Sequence, residues 1–368
     1  MGNEKIVLIS NEKNWIEQIA KDQLVGVSQL KDVIRVVGLP DLHAGKSPIG
    51  IALLSQNRFY PHLIGNDIGC GMGLFETAVK LKKYKQDKWV TRLSNIRQLS
   101  DLWIMNPYEE ESPILELGTI GNGNHFAEFQ CIHEVVNKDL YEQLGLEKDK
   151  VFLLVHSGSR GYGEKILRAH LKPEGILKNS DEAVTYLEEH EKALIWARRN
   201  RELVAKKLLG HLGVNDEIVT VIDCYHNFLE ETSEGFIHRK GTTSSKVGPI
   251  VIPGSRGSLS YICMPKEDTS LSLDSLSHGA GRKWARSLCK SRINNKYDRD
   301  SIRCTELKSK VVCHDTNLLF QEAPEAYKNI EQVIDSLMKF GLIEVVATLR
   351  PLITYKGEVT YESANKFR

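Results

Sequence analysis

The amino-acid sequence predicts an α+β fold in which mixed β-sheets are flanked by helices. Short apolar runs, bounded by glycine-rich or polar turns, alternate with longer stretches in which apolar residues recur at helical spacing. The 368 residues are 41% hydrophobic and 26% charged, a composition that supplies a sizeable core. Since no repeat, low-complexity segment or linker divides the chain, residues 1–368 are expected to form a single compact domain, although the length would also allow two.

The predicted strands are short apolar runs, as is typical of buried strands. They cover residues 4–9, 33–39, 49–54, 151–155, 217–222, 249–252 and 343–349. Residues 65–73 form a glycine-dense turn among them. Because loops at strand ends are where a rigid scaffold presents chemistry, the polar residues next to these runs are candidates for a functional site.

Apolar spacing predicts three helices. They cover about residues 181–209, a segment from near Ser277 to past Arg286, and about residues 325–339. The first is the clearest, because Ser180 can cap its beginning and Gly210 or Gly213 can end it.

Charge and cysteine content restrict the class of protein. The net charge of +1 neither demands nor excludes nucleic acid, so any RNA contact must come from local basic patches. Seven cysteines form an odd set without paired spacing, and the N-terminal residues lack the pattern of a signal peptide. No run of 18 apolar residues predicts a membrane-spanning helix. We therefore expect a cytoplasmic protein whose cysteines are thiols.

The first motif with chemical potential is the turn at 65–71, GNDIGCG. Its Asp67 carboxylate and Cys70 thiol lie three residues apart, and the flanking glycines allow the backbone to approach an ion closely. This pair suits a borderline metal such as Mn, Fe or Zn. A tight turn with a buried cysteine is an equally reasonable interpretation of this motif alone.

Three further motifs place a histidine among small or amide residues, and two of them directly follow an apolar run. The histidines are His125, His156 and His226. Any one of them is more often structural than a ligand. Together with Asp67 and Cys70 they make five candidate ligands, enough for two metal ions that share a bridging thiolate.

Two other segments suggest phosphate or nucleotide chemistry. The loop at 253–258, PGSRGS, can form a cradle of backbone amides for an anion or a purine edge, although such a sequence is usually only a turn. If the segment after Ser277 is helical, His278, Arg282 and Arg286 lie on one face, where a histidine backed by two guanidiniums suits phosphate chemistry. A solvated basic face is the alternative.

In these blocks the chain resembles the RtcB family of RNA ligases. The family's signature blocks occur in order at residues 41–45, 65–71, 121–126, 156–161, 226–227, 238–241, 253–255, 278–282 and 356–357. The resemblance implies a central cleft for metal and nucleotide. It also implies an enzyme that uses GTP and two Mn²⁺ ions to join RNA ends carrying a 2′,3′-cyclic phosphate or 3′-phosphate to ends carrying a 5′-hydroxyl.

The resemblance also implies a role for individual residues. It assigns metal binding to Asp67, Cys70, His125, His156 and His226, with Cys70 bridging. It assigns the covalent guanylate to His278, and phosphate or RNA contacts to Arg160, Arg282 and Arg286. It assigns the guanylate pocket to Asn124, Phe126, Glu128, Asn227, Lys356 and the loop that contains Pro253, Gly254 and Ser255.

The biological role is less constrained than the chemistry. The chain is short for the family, and in this it resembles the branch coupled to a release-factor-H-like protein. That branch implies repair of broken RNA in damaged ribosomes. Two other functions remain open: a metal-dependent phosphoesterase that opens cyclic phosphates without nucleotide, and a non-enzymatic module that binds RNA ends or ribosomes. The phosphoesterase would need the metal ligands but not His278, Lys356 or the Ser255 loop.

Overall fold

A computed structural model describes residues 5–102, 117–214, 217–298 and 300–356. Two residues of predicted features, Glu4 and Gly357, lie outside these ranges. Within them the protein has an α+β fold, as the sequence predicts. No described helix combines the length and the apolar character that crossing a membrane requires.

The strands of the described residues are numbered in chain order. They are β1 (Ile6–Leu8), β2 (Val33–His43), β3 (Ile49–Ser55), β4 (Arg58–Phe59), β5 (Gly71–Lys80), β6 (Phe126–Val135), β7 (Lys150–Ser157), β8 (Ile176–Leu177), β9 (Val219–Tyr225), β10 (Asn227–Thr232), β11 (Gly235–Lys240), β12 (Thr242–Ser244), β13 (Ile250–Pro253), β14 (Ser260–Pro265), β15 (Ser275–Ser277), β16 (Lys310–Cys313) and β17 (Ile343–Lys356). All seven predicted strands are present.

The α-helices are numbered in the same way. They are α1 (Gln18–Ser28), α2 (Pro61–Ile64), α3 (Gln86–Ser94), α4 (Lys138–Gln143), α5 (Gly161–Ala169), α6 (Asp181–His211), α7 (Arg286–Ile293), α8 (Thr316–Gln321) and α9 (Ile330–Lys339). The long helix α6 matches its prediction, and the Ser180 side chain accepts a hydrogen bond from the backbone N–H of Ala183 as its N-cap.

Two larger sheets organise the fold. One has the order β13-β14-β17-β6-β7-β5-β9, with β16 paired to β17, and the other has the order β1-β2-β3-β11-β10. Helix α6 covers the first sheet, where Val204 and Leu208 join the core residues Leu153 and Val155. This apolar layer fixes the helix on the strands that carry most of the site.

Two predicted strands are longer than expected. The strand predicted at 33–39 continues through Pro40 to His43, and its register with β3 is irregular between Gly38 and His43. The strand predicted at 343–349 continues to Lys356 through an irregularity beside Pro351. Proline cannot donate to a strand ladder, so both strands pass their proline where the pairing is interrupted.

The helix predicted from Ser277 is wrong. Ser277 ends strand β15, the residues after it are irregular, and a helix begins only at Arg286. Gly281 explains the difference, since its φ of 71° is not helical and a Cβ at this position would lie 2.2 Å from the Asp41 carbonyl oxygen. His278, Arg282 and Arg286 therefore do not share a helical face. The third predicted helix is also shorter, because it begins at Ile330 after its N-cap Asn329.

Candidate active site

The predicted metal ligands meet at one edge of the larger sheet. Strands β5, β6, β7 and β9 pair antiparallel, so the starts of β5 and β6 lie beside the ends of β7 and β9. His156 is opposite both Phe126 and Met72 in this register. The edge thereby brings together side chains that are far apart in sequence: Asp67, Cys70, His125, His156 and His226.

The ligand atoms of these five residues form two overlapping groups. Cys70, His156 and His226 make one group, Asp67, Cys70 and His125 make the other, and the atoms within each lie within 4.8 Å of one another. The Cys70 Sγ lies 3.2 Å from His125 Nε2 and 3.3 Å from His156 Nε2. His156 Nε2 is 3.2 Å from His226 Nε2, and His125 Nε2 is 3.0 Å from Asp67 Oδ2. Cys70 is the member common to both groups.

The hydrogen bonds made by the Nδ1 atoms of two of the histidines indicate that the cluster suits cations. Nδ1 of His125 lies 3.0 Å from the Ile120 carbonyl oxygen, and Nδ1 of His156 lies 3.2 Å from that of Asn124. A carbonyl accepts only from an N–H, so each Nδ1 carries the proton and each Nε2 presents a lone pair. These lone pairs face a thiol, a carboxylate and another imidazole. A positive ion between these atoms relieves their repulsion, so the residues present fit a metal centre.

Burial shifts the pKa of each of these groups towards its uncharged form. It lowers the pKa of His156 and of His226 well below the ordinary value, and neighbouring histidines add to the effect. Both imidazoles are therefore neutral, the form that binds metals. Burial also raises the pKa of the Cys70 thiol, with the charge of Asp67 adding to it. For Asp67, burial acts to raise the pKa, but the hydrogen bond and charge of a His125 ring that is protonated on both nitrogens bring it below the usual range. An ion bound between the two residues would take the place of the Nε2 proton.

Helix α6 braces the loops that carry the ligands. Asn200 Nδ2 donates to the Gly158 carbonyl at 3.2 Å, two residues after His156. Arg201 Nη1 donates to the Gly69 carbonyl at 2.9 Å, one residue before Cys70. The Arg201 guanidinium also pairs with Asp223 at 2.6 Å. Because both α6 residues are fully buried, these bonds hold the loops independently of any ion.

His278 lies beside the candidate metal ligands and is held by a residue to which the sequence assigned no role. The Asp41 Oδ2 lies 2.6 Å from His278 Nδ1 and also accepts from the His278 backbone N–H at 3.2 Å. The His278 ring centroid is 4.7 Å from that of His226. Asp41 is fully buried, and burial acts to raise its pKa, but the hydrogen bond and charge of His278 bring it below the ordinary value. An ionised Asp41 keeps the proton on Nδ1 and leaves the Nε2 lone pair for chemistry.

The position of Asp41 is fixed from several sides. Lys328 Nζ donates to the Leu42 carbonyl at 2.6 Å and to the Pro40 carbonyl at 3.2 Å, and burial lowers the pKa of this lysine to about 8. Gly281 packs directly against the Asp41 backbone. The glycine in the block around His278 is therefore required for the approach of the two segments.

A second wall of the cleft is built from β6 and β17. Phe126 and Glu128 are two residues apart on β6 and so lie on one face, and Glu128 pairs with Thr354 of β17. The Lys356 Nζ lies 5.9 Å from the centroid of the Phe126 ring. The Glu128 carboxylate accepts from Gln130 Nε2 at 2.7 Å and from the Thr354 hydroxyl. Burial raises the pKa of Glu128, opposed by these hydrogen bonds and by the charge of Lys356.

Glu322 connects three cationic residues of the cleft, and sequence analysis missed it. Its carboxylate lies 2.9 Å from Arg282 Nη1, 3.3 Å from Arg286 Nε and 3.5 Å from Lys356 Nζ. It also accepts from the Tyr327 hydroxyl. Burial acts to raise the pKa of Glu322, but these cations bring it down to about 2. No local pattern marks this residue, since its partners come from three other parts of the chain.

The two predicted phosphate-binding arginines near Glu322 differ in how many of their N–H donors are already used within the protein. The Arg282 guanidinium also donates to the carbonyls of Trp284 and Gln321, so its donors are largely engaged within the protein. Arg286 is 45% exposed in its side chain, and among the described residues its guanidinium forms an ion pair with Glu322 alone. Arg286 therefore has the greater capacity to contact a phosphate.

Arg160 lies on the other side of the metal ligands in a left-handed conformation, with φ 57°. Its backbone N–H donates to Asp67 Oδ1 at 2.8 Å, and its guanidinium covers Gly121, where a Cβ would lie 2.0 Å away. Asn227 supports the same turn, since its side chain donates to the Asp67 carbonyl at 3.3 Å and accepts from the Gly241 N–H at 2.9 Å. These bonds orient the Asp67 side chain.

A single cleft of about 1330 Å³ is lined by every residue that the sequence singled out for the site. The loop after β13 closes one end, where Ser255 Oγ lies 2.9 Å from Ser258 Oγ. His43 and His62 also line the cleft, although no role was predicted for them. His238 lies apart from it, since its Nε2 accepts from the buried backbone N–H of Tyr60 at 2.9 Å.

Comparison with known proteins gives a consistent result. A family model described as "tRNA-splicing ligase RtcB" matches residues 23–101 and 100–357. These segments contain every site residue described above.

Individual relatives match over nearly their whole length. The chain is 42% identical to the "RNA-splicing ligase RtcB2" of Escherichia coli strain ATCC 25922, over 96% of each chain. It is 27% identical to the "RNA-splicing ligase RtcB" of Escherichia coli K12, over 93% of this chain and 95% of that protein. It is 26% identical to the "tRNA-splicing ligase RtcB" of Nanoarchaeum equitans, over 93% of each.

Proposed function

The protein belongs to the RtcB family of RNA ligases, and from that premise we propose that it seals RNA breaks with GTP through a guanylate carried on His278. The strands to be joined end in a 2′,3′-cyclic phosphate or 3′-phosphate and in a 5′-hydroxyl. The observation that carries the proposal is the contact between Asp41 and His278 Nδ1, next to the His226 ligand. It aims an unprotonated imidazole nitrogen into the cleft that holds the candidate metal centre.

The first step forms the covalent guanylate. The Nε2 lone pair of His278 attacks the α-phosphorus of GTP and makes an N–P bond. The bond from the α-phosphorus to the bridging oxygen of the β-phosphate breaks, and pyrophosphate leaves with the electron pair. Asp41 retains the Nδ1 proton and stabilises the charge that develops on the ring.

The next steps use the RNA ends. A cyclic phosphate first adds water to become a 3′-phosphate. An oxygen of this 3′-phosphate attacks the guanylate phosphorus, and the N–P electron pair returns to His278. The 5′-hydroxyl oxygen then attacks the RNA phosphorus, GMP leaves, and the hydroxyl proton passes to solvent. The guanidiniums of Arg160 and Arg286 are suited to hold the phosphates in this sequence.

Metal ions fit the five ligands, and we propose two Mn²⁺ ions with Cys70 between them. The carboxylate, imidazole and thiolate donors suit a divalent transition-metal ion, and the choice of Mn²⁺ follows from the family resemblance. Bound ions would neutralise and orient the phosphates. The protein's own part is to hold the ligand atoms by α6 and by the carbonyls behind the histidines.

The base pocket is assigned to the wall of β6 and β17, with support from Asn124, Asn227 and the loop at 253–255. Phe126 offers a ring for stacking, and Lys356 lies above it. Glu128 is buried and can accept from the N1–H and N2–H₂ donors of guanine, which adenine lacks. A pocket with buried hydrogen-bonding groups rejects the wrong base strongly, so GTP should exceed ATP by orders of magnitude. Equal use of ATP would remove this role of Glu128.

The RNA substrate and partners belong to the same proposal. The chain is more similar to the RtcB2 relative, at 42% identity, than to the K12 relative, at 27%. Repair of broken ribosomal RNA beside a release-factor-H-like protein is proposed from the resemblance to the shorter branch of the family. We further propose that residues 1–368 form a single catalytic domain. Limited proteolysis tests this, since two independent domains would give two stable fragments.

The deciding experiment is incubation with α-labelled GTP and Mn²⁺, followed by denaturing electrophoresis and by an RNA-joining assay. We expect label on the protein, and joining of 3′-phosphate or cyclic-phosphate ends to 5′-hydroxyl ends but not of 3′-hydroxyl to 5′-phosphate ends. Opening of cyclic phosphates without GTP would favour a phosphoesterase. RNA binding with neither reaction would favour an RNA-end or ribosome-binding module.

A further inference from the structure

Arg256 is a buried cation without a partner. It lies in the loop between β13 and β14, and only 8% of it is exposed. Its side chain makes no hydrogen bond or ion pair with any residue that the structure describes, and its Nε and Nη1 are buried without an acceptor. An unpaired buried charge is destabilising, so such a residue is not explained by stability.

The charged groups around Arg256 do not give it a role in stabilising the fold. The carboxylate whose charge acts most on Arg256, Glu322, is already shared by Arg282, Arg286 and Lys356. The charge of Arg256 acts against that of Lys356 and in favour of an ionised Glu128. Arg256 therefore adds a fourth positive charge to a region in which Glu322 is already shared by three cations, and it lines the cleft there.

The charges that act most on Arg256, or that it acts on, include Glu322, Glu128 and Lys356, whereas His278 and the candidate metal ligands are not among them. The reacting phosphorus must lie at His278 and the metal ligands, where Arg160 and Arg286 supply cations. The loop that carries Arg256 leads into Ser260, whose hydroxyl accepts from Gln130 Nε2 at 2.8 Å, and the same Nε2 donates to Glu128 at 2.7 Å, so this loop lies at the Glu128 end of the cleft. A planar guanidinium with free N–H groups matches an edge that presents two acceptors side by side.

We propose that Arg256 binds the O6 and N7 acceptors of the guanine base, while Glu128 accepts from its N1–H and N2–H₂ donors. This inference rests on the proposed GTP-dependent function and adds a second determinant of base choice. Arginine recognises guanine through this pair of atoms when it reads nucleic acids. Adenine places an amino donor where guanine has O6, so it would leave the buried guanidinium unsatisfied.

Nucleotide analogues test each edge separately. Guanylylation rates and equilibrium binding of the matching monophosphates are measured with guanosine, 7-deazaguanosine, inosine and adenosine nucleotides. In the unchanged protein, loss of N7 should weaken use by about tenfold, since one of two bonds is lost. Arg256→Met should lose about tenfold or more with GTP and should no longer distinguish 7-deaza-GTP. It should keep its preference for GTP over ITP, because the N2 amine faces Glu128.

Two further variants provide controls. Arg256→Lys keeps the charge without the planar pair of donors and should resemble Arg256→Met. Arg97→Met removes an exposed arginine outside the cleft and should change nothing. The thermal stability of Arg256→Met should match or exceed that of the unchanged protein, because an unpaired buried charge is removed.

The outcomes separate this inference from the function on which it rests. A uniform loss with all four nucleotides in Arg256→Met would mean a phosphate contact and overturn base recognition. Equal use of GTP and 7-deaza-GTP by the unchanged protein would also overturn it. Absence of any adduct, together with selective and Arg256-dependent binding of GMP, would reject the covalent mechanism and retain the inference.

Discussion

The Asp41 carboxylate lies 2.6 Å from His278 Nδ1 although 237 positions separate the two residues in the chain. In the proposed mechanism, this contact sets which imidazole nitrogen is free to attack GTP. Asp41→Asn should therefore reduce guanylylation by at least about a hundredfold, because an amide can also hold the wrong tautomer. Single-turnover labelling measures the rate, and metal content should stay unchanged. An unaltered rate would show that Asp41 does not orient the nucleophile.

Cys70 should be the most sensitive metal ligand, because it is common to both ligand groups. We expect Cys70→Ala to abolish joining and to lower bound Mn²⁺ sharply, as measured by elemental analysis. Cys304→Ala is the matched control, since this thiol is exposed and lies outside the cleft. Full activity of Cys70→Ala would remove the model of two ions with a shared thiolate.

His278→Ala should bind Mn²⁺ normally but form no GMP adduct, because the nucleophile is gone while the ligands remain. It should still join RNA supplied with a guanylylated 3′ end.

Arg282→Ala should form the adduct slowly, because a positive charge near the phosphates is lost and Glu322 loses its shortest ion pair. Intact-protein mass spectrometry after GTP and Mn²⁺ distinguishes these cases. A GMP mass on His278→Ala, or one mapped to lysine, would identify another nucleophile.

Glu322 should contribute stability that depends on pH. Its pKa falls from 4.5 to about 2 on folding. A carboxyl with a lowered folded pKa stabilises above its unfolded pKa, and the contribution is lost as pH falls from about 4.5 towards about 2. The shift corresponds to a free energy of unfolding on the order of 3 kcal/mol. Glu322→Gln should therefore be less stable at pH 7, with a smaller deficit near pH 3.

Urea unfolding at both pH values measures this difference, and Glu306→Gln serves as the control, since Glu306 is exposed. A deficit that is the same at both pH values would assign the effect of Glu322→Gln to packing rather than to charge.

Local patterns were sufficient to predict seven of the described strands, helix α6 and the five candidate metal ligands that meet in the cleft. The ligands lie at the ends of apolar runs, and antiparallel pairing brings such ends to one edge of the sheet. Asp41 and Glu322 could not be assigned in this way, because their partners are distant in sequence and no spacing rule relates them. The failure at residues 277–286 has the same origin, since the contact of Gly281 with Asp41 overrides local helical spacing.

The bonds from Asn200 and Arg201 to the loops beside His156 and Cys70 have a consequence for how the centre is loaded. They belong to the folded chain, so the geometry of the ligands exists before any ion arrives. Entry of the proposed metal ions would then need little reorganisation of the backbone, in contrast to domains that fold only around their ion. Selection among cations would consequently depend on their size and donor preference in a preformed site, and one ion could be exchanged for another without unfolding.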